Sequence, residues 1–271
     1  MGKDGLIYHY CSVDTLYNII TKKKLWLSDS SYMNDKEEVT WIDTLVFDAL
    51  NELIDAYPNE KKYSKIEEEY KKLEHKKHFI MCFSKEKDKL SQWRAYADDA
   101  KGVAIGFNAN CLKDREELSG QIGSEPPQSV TKQLGKDFVE YDENHIKNNF
   151  KNIIEKSESM DIQLIAFMIK ESSIIIKHPS FKEEEEVRFI YTPENTSNQN
   201  SQTHLSSKKL FRSQKNEIIP YFTFDFKDFE NFISEIVLGS KCKLKKDDLQ
   251  EFLVSEEFND IKINYSFSSY R

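Results

Sequence analysis

Residues Phe181 to Tyr191 read FKEEEEVRFIY, a run of glutamates leading straight into a β-rich segment. In an extended strand successive side chains point to opposite faces. Val187, Phe189 and Tyr191 then share one face, and Glu184, Glu186 and Arg188 share the other. The first face reads as core. The second sets carboxylates and a guanidinium at alternate positions, close enough for a charge-assisted contact that orients a polar ligand. A solvated strand face is the plainer reading of such a charge run.

Other elements follow from periodicity. Leu6–Tyr10 reads as a short strand, and Ser12 is placed to cap a helix carrying Val13, Leu16, Ile19 and Ile20, with Lys22, Lys23 and Lys24 at its C-terminal end. Leu25, Trp26 and Leu27 read as a second strand, followed by a polar loop with Tyr32, Asn34, Asp35 and Glu38. From Thr40, apolar residues at Ile42, Leu45, Val46, Ala49, Leu50, Leu53 and Ile54 repeat at helical spacing until Pro58. A thinner stripe follows at Tyr63, Ile66, Tyr70 and Leu73. Phe79–Phe83 and Gly102–Phe107 are apolar runs of strand length, the glycines of the second permitting close backbone approach. Between them Leu90–Ala97 reads as a helix.

A loop spans Ser119–Ser129, and a strand lies near Phe138–Tyr141. A long helical segment occupies 143–177, with a break around Ser157–Asp161. Residues 193–207 are Asn, Gln, Ser and Thr rich and read as a flexible loop. Strands at Ile218–Phe224, Ser234–Leu238 and Ile261–Ser266 surround a helix at Asp247–Leu253. The expected fold class is α+β: residues 1–271 as one domain of short strands with helices packed on the sides, and 40–78 as a helical insertion.

Composition narrows the function. A net charge of −8 argues against an extended nucleic-acid surface. No apolar run approaches the roughly 20 residues that span a bilayer, and the start of the chain lacks the apolar region of a secretory signal. Cys11, Cys82, Cys111 and Cys242 are scattered without a C-x-x-C pair, which points to a reduced cytoplasm rather than a disulfide framework or zinc ribbon. No metal site is assigned: His75, His78 and Cys82 have a tempting spacing but fall in a lysine-rich helix end and a buried strand. A G-x-S-x-G elbow and a Gly-rich phosphate loop are both missing. Taken alone, His9 reads first as a structural strand histidine. Asp35, Glu37 and Glu38 with Glu184 or Glu186 form an alternative divalent-ion set of a nuclease or phosphoesterase.

The ordered series YHY, LWLSDSSYMNDKEE, CFS, LSQWRAYADDAKGVAIGF, FKEEEEVRF, IIPYF and IVLG resembles a bacterial domain-of-unknown-function family, the one numbered 2971, over nearly the whole chain. A more distant resemblance is to the His-Tyr-Glu ADP-ribosyltransferases, including DNA-targeting toxins, carried by a histidine in a first strand, a helix, a short strand with a nearby tyrosine and a late strand with a glutamate. That resemblance implies a bent, split β-sheet whose cleft binds NAD as substrate. It implies His9 on a ribose, Tyr32 or Trp26 stacked on nicotinamide, and Arg94 or Arg188 on pyrophosphate. Glu186 would be the catalytic carboxylate, with Glu184 and Glu185 as rivals for the position. The partners implied are a nucleotide and an unspecified acceptor macromolecule, as in a toxin or phage-defence effector. A non-catalytic sensor or interaction module, its glutamate strand a structural ion-pair lattice, is a further alternative.

Overall fold

The computed structural model describes residues 5–32, 36–74, 76–111, 134–156, 160–193, 205–206, 208–214 and 216–270. Strand β1 (Leu6–Cys11) leads into helix α1 (Val13–Lys22) and strand β2 (Lys24–Asp29). Ser12 caps α1 as its position suggests, its Oγ accepting the Thr15 N–H at 3.2 Å, and Lys23 ends the helix in the left-handed region at φ 49°. Helices α2 (Lys36–Ala56) and α3 (Lys62–Lys72) follow, then strand β3 (Phe79–Ser84), helix α4 (Leu90–Tyr96) and strand β4 (Val103–Asn108). Helix α2 starts one turn before Thr40, because the Lys and Glu residues ahead of it are themselves good helix formers.

Further on lie strand β5 (Gly135–Phe138), helices α5 (Glu143–Lys156) and α6 (Ile162–Ser172), and strand β6 (Glu186–Tyr191). Strands β7 (Leu210–Gln214), β8 (Glu217–Asp225) and β9 (Ile233–Leu238), helix α7 (Lys246–Ser255) and strand β10 (Lys262–Tyr265) complete the order. This is one α+β domain built on an open mixed sheet. Its order is β10-β9-β4-β1-β3-β2-β8-β7, with β6 also on β3 and β5 on β6; β9 and β10 run parallel and the other pairs antiparallel.

The sequence expectations for 119–129, for most of 193–207, and for His75 and Asp35 lie outside the described residues. Three differences from the pattern carry physical reasons. The strand expected at Phe138–Tyr141 is centred earlier, because Val139 already donates to the Glu186 carbonyl and Glu140 bridges to Ile176. The helical segment 143–177 ends its last helix at Ser172, and Ile176 and Lys177 run extended along Glu140. Strand β7 carries little apolar alternation and becomes a strand through its hairpin with β8, turned at Asn216 with φ 68°.

Two cores result. One face of the sheet buries Phe79, Met81, Phe83, Val187, Phe189 and Phe222 against α1 and α7. The second core joins the two helical segments, which are far apart in sequence: α3 packs on α6 and α2 on α5 through Val46, Leu50, Ile66, Phe150 and Ile169.

Strand β3 decides where the cleft lies. One of its edges pairs with β6 along its whole length, from Phe79↔Tyr191 to Ser84↔Glu186. Its other edge is shared: β2 takes Phe79 and Ile80, and β1 takes Ser84. Over Met81–Phe83 that edge has no strand partner among the described residues, so the sheet forks there. The open mixed sheet therefore has a hydrogen-bonding fork at this edge.

Beside the fork, Gly102 opens β4 against β1. A Cβ there would stand 2.1 Å from the Cys11 carbonyl oxygen and 3.0 Å from that of Ala97. Both obstacles are backbone, so relief requires moving β1 or the α4–β4 connection. Gly102→Ala is expected to destabilise the protein by at least about 2 kcal/mol in urea unfolding; an unchanged midpoint would show that the strands separate freely here.

Candidate functional site

A cavity of about 580 Å³ occupies the fork. Its wall takes His9 from β1, Trp26 and Ser28 from β2, and Cys82 from β3. Tyr32, Tyr96, Lys177, Glu184, Glu186, Arg188 and Arg212 complete the polar lining that matters for chemistry.

Strand register sets the carboxylate side. Glu186 and Arg188 are on the face of β6 opposite Val187 and Phe189, as alternation requires. That face is not solvated: Glu186 is 5% and Arg188 2% exposed. Arg188 donates from Nε to Glu186 Oε1 at 2.7 Å and from Nη2 to Oε2 at 3.2 Å, and its Nη1 donates to the Ile174 carbonyl. Such a fork-to-carboxylate pair fixes both planes.

Glu184 reaches the same place by another route. Pro179–Glu184 is a 3-10 helix and Glu185 turns left-handed at φ 45°, so Glu184 is not on the strand. This corrects the extended reading of 184–188. Lys177 nevertheless bridges the two carboxylates, with Nζ on Glu184 Oε2 and 3.4 Å from Glu186 Oε2, and Tyr96 donates to Glu184 Oε1 at 3.0 Å. The quartet of Glu184, Glu186, Lys177 and Arg188 is charge-neutral.

Burial alone would raise the Glu186 pKa. The charge and hydrogen bonds of Arg188, with Lys177 and the Cys82 thiol, outweigh it and hold Glu186 down to about 2. Cys82 moves the other way: burial, reinforced by the Glu186 charge, pushes its thiol well above the ordinary range, so it is no nucleophile near neutrality.

His9 stands across the fork. Its Nδ1 is 3.0 Å from the Cys82 carbonyl, which can only accept, so Nδ1 carries the proton. The ring meets Phe83 edge-on at 5.9 Å, and burial lowers its pKa, opposed by the Cys82 hydrogen bond. A neutral imidazole with a protonated Nδ1 presents a lone pair at Nε2, and that atom has no protein partner among the described residues.

Trp26 and Tyr32 differ in availability. The Trp26 ring is tilted against Tyr221 at 4.8 Å and lies under the Arg212 guanidinium at 5.4 Å. Tyr32 is 45% exposed at the rim and has neither a hydrogen bond nor a ring contact among the described residues. It is the freer stacking surface. Arg94 is elsewhere: its guanidinium lies 5.9 Å from the Tyr270 ring, in a shallow hollow with Ser91, Ala95 and Asp99. Of the residues assigned to the cleft from the sequence, His9, Trp26, Tyr32, Glu184, Glu186 and Arg188 line this cavity, whereas Arg94 and Glu185 do not. It adds Lys177, Arg212, Tyr96 and Cys82, of which Cys82 and Tyr96 sat inside the motifs already quoted while the two cations had no sequence signal.

A family model described as protein of unknown function (DUF2971) matches residues 92–189. No curated protein and no solved structure matches the chain. The matched stretch holds Tyr96, Lys177, Glu184, Glu186 and Arg188, and excludes His9, Trp26, Tyr32 and Arg212. Similarity to that family is therefore carried by the carboxylate side of the cleft, not by nearly the whole chain. Among the described residues there is no group of His, Cys, Asp and Glu suited to a metal ion, and no helix long and apolar enough to cross a membrane. The side chains of Asp35, Glu37 and Glu38 lie outside that description.

The buried pair gives a pH signature. The folded pKa of Glu186, about 2, lies below its ordinary 4.5, so the unfolded chain binds the proton first. The stabilisation is complete above about pH 4.5 and is lost as pH falls toward 2, amounting to about 3 kcal/mol. Glu186→Gln leaves Arg188 buried without its counter-charge and is expected to cost about 3 kcal/mol at neutral pH and to flatten the acid limb. Urea unfolding of both proteins across that range checks this; equal acid limbs would show that the pair does not support the fold.

Proposed function

We propose that the cleft binds NAD and cleaves its nicotinamide–ribose bond, passing ADP-ribose to an acceptor or to water. The observation that carries this reading is the convergence, in one cavity, of the His9 lone pair, the open Tyr32 ring and the Glu184–Glu186 carboxylates. The volume suits a small-molecule ligand. In the proposed reaction the C1′–N bond breaks with its electron pair leaving on neutral nicotinamide, and C1′ bonds to an acceptor oxygen or nitrogen that gives up a proton. Positive charge builds on the ribose in between.

Glu186 fits one role in that scheme better than another. With a pKa of about 2 it is a poor general base near neutrality, but it is ionised and rigid, which suits electrostatic stabilisation of the oxocarbenium-like state. His9 Nε2 would accept a hydrogen bond from a ribose hydroxyl, and Tyr32 would stack on the nicotinamide. The bidentate Glu186–Arg188 pair favours a second reading, in which the strand is purely structural and the cleft belongs to a sensor or interaction module.

NAD binding and nicotinamide release by wild type, His9→Ala and Glu186→Gln, each with a melting curve, separate the two. The transferase or glycohydrolase reading expects turnover by wild type, a drop of at least about 100-fold in kcat for Glu186→Gln, and a weaker but folded His9→Ala. Absence of binding and of nicotinamide release in wild type, with a lowered melting point in Glu186→Gln, sinks it in favour of the structural strand.

A further inference from the structure

The cleft is electrostatically two-ended. At the β6 end, two carboxylates meet two cations. At the opposite end, where β2, β8 and β7 meet, the balance is different. Arg212 is half-buried, lies 5.4 Å from the Trp26 ring, and donates from Nη2 to Ser28 Oγ at 3.0 Å. A guanidinium is a rigid fork of N–H donors, and among the described residues this serine is its only protein acceptor. Its Nε is buried without a hydrogen-bond partner. No carboxylate of the described residues pairs with it. Lys24 also lines the cavity, its Nζ 3.9 Å from Asp225 Oδ2 and thus at the edge of ion-pair range. Lys22 Nζ sits 5.8 Å from the Trp26 ring, and the exposed Glu217 is the one acidic group of the lining at this end.

An arginine half out of water, braced on an indole and a serine and given no counter-charge, is costly unless something anionic completes it. Burial accordingly lowers its pKa, with only the Tyr221 hydroxyl opposing. Neither other arginine of the cleft region is free for this task. Arg188 is committed to Glu186 and Ile174, and Arg94 lies outside the cavity.

We infer that Arg212, held by Ser28 and the Trp26 ring with Lys24 beside it, is the anchor for a pyrophosphate group, so that the site takes a pyrophosphate-bearing nucleotide lying along the fork. The phosphates then sit at the β7–β8 end and the reacting ribose at the His9–Glu186 end. The orientation, though not the anion site itself, rests on the NAD reading above. Trp26 thereby becomes a brace for the anchor, leaving Tyr32 as the nicotinamide platform.

Inorganic pyrophosphate and ADP-ribose, titrated calorimetrically into the full chain at about 50 and 200 mM salt, test the inference independently of turnover. Wild type should bind both, more weakly at the higher salt. Arg212→Gln should weaken both by at least about 10-fold, Arg212→Lys by less because a point charge replaces the fork, and Arg94→Gln not at all. A melting curve accompanies each variant; should Arg212→Gln fail to fold, Arg212→Lys decides, since only the loss of the fork distinguishes it. Failure of wild type to bind pyrophosphate, or wild-type affinity in folded Arg212 variants, overturns the inference. Arg212-dependent binding without nicotinamide release would keep the anchor and discard the transferase reading. Nicotinamide release with an unchanged KM for NAD in Arg212→Gln would do the reverse.

Discussion

The Glu186–Arg188 pair is the contact on which the arrangement of this protein depends. Both side chains leave water almost completely, a loss that Coulomb attraction alone rarely recovers. Here the deficit is met by geometry: two parallel N–H donors on one carboxylate, a third donor on the Ile174 carbonyl, and Lys177 within reach of the same carboxylate. The supporting partners come from a different part of the chain than the pair itself. Ile174 and Lys177 follow the last helix of the four-helix core, whereas Glu186 and Arg188 are in the sheet. The pair therefore ties the segment after the last helix to the sheet, beside the small apolar cluster of Ile80, Ile174 and Ile190 that joins the same parts. The Glu186 backbone is fixed as well, its N–H donating to the Tyr141 hydroxyl at 3.0 Å and its carbonyl accepting from Val139.

The fork follows from strand order. Strands β1 and β2, joined by α1, both run antiparallel to β3 and compete for one of its edges. With β6 holding the other edge along its full length, β3 cannot shift to favour either competitor. The two strands share the edge at its ends and part in the middle. The Cys82 carbonyl exposed by that parting needs a donor, and His9 supplies one from its ring rather than its backbone. One hydrogen bond thus satisfies a carbonyl of the open edge and sets the tautomer of a histidine that lines the cavity. Under the proposed reading, architecture and chemistry are linked through this single imidazole.

Much of this arrangement was legible before any coordinates. Helices with a clear apolar stripe, such as α2, and strands with continuous apolar runs, such as β3 and β4, stand where periodicity puts them, because burial on one face leaves little freedom. The core face of β6 was legible for the same reason. Its polar face was not, since alternation says which residues share a side but not whether water or protein covers it. Glu184 shows the limit of the strand rule: His178 and Pro179 start a 3-10 turn that withdraws it from the strand, and only the Lys177 bridge returns it to Glu186. Arg94 fails for a helical reason. Gln92 and Tyr96 are the residues of α4 that line the cleft, and Arg94, two positions from each and so about 200 degrees round the helix, faces away from it. Arg212 was invisible because β7 becomes a strand only through its hairpin with β8, and nothing local marks it as part of a site.

A carboxylate that supports a fold and one that performs chemistry are usually thought to compete, yet under the proposed reading the two demands on Glu186 point the same way. A general base needs a pKa near the working pH, and pairing with Arg188 makes that impossible. A stabiliser of transient positive charge needs the opposite: permanent ionisation, a fixed position and little reorganisation as charge develops. The pairing that pulls the pKa to about 2 supplies all three. What it costs is field strength, because Arg188 and Lys177 neutralise much of the charge that Glu184 and Glu186 present. Lys177 is the shared member of that balance. Its flexible stem serves both carboxylates at once, whereas the Arg188 fork is fixed on one.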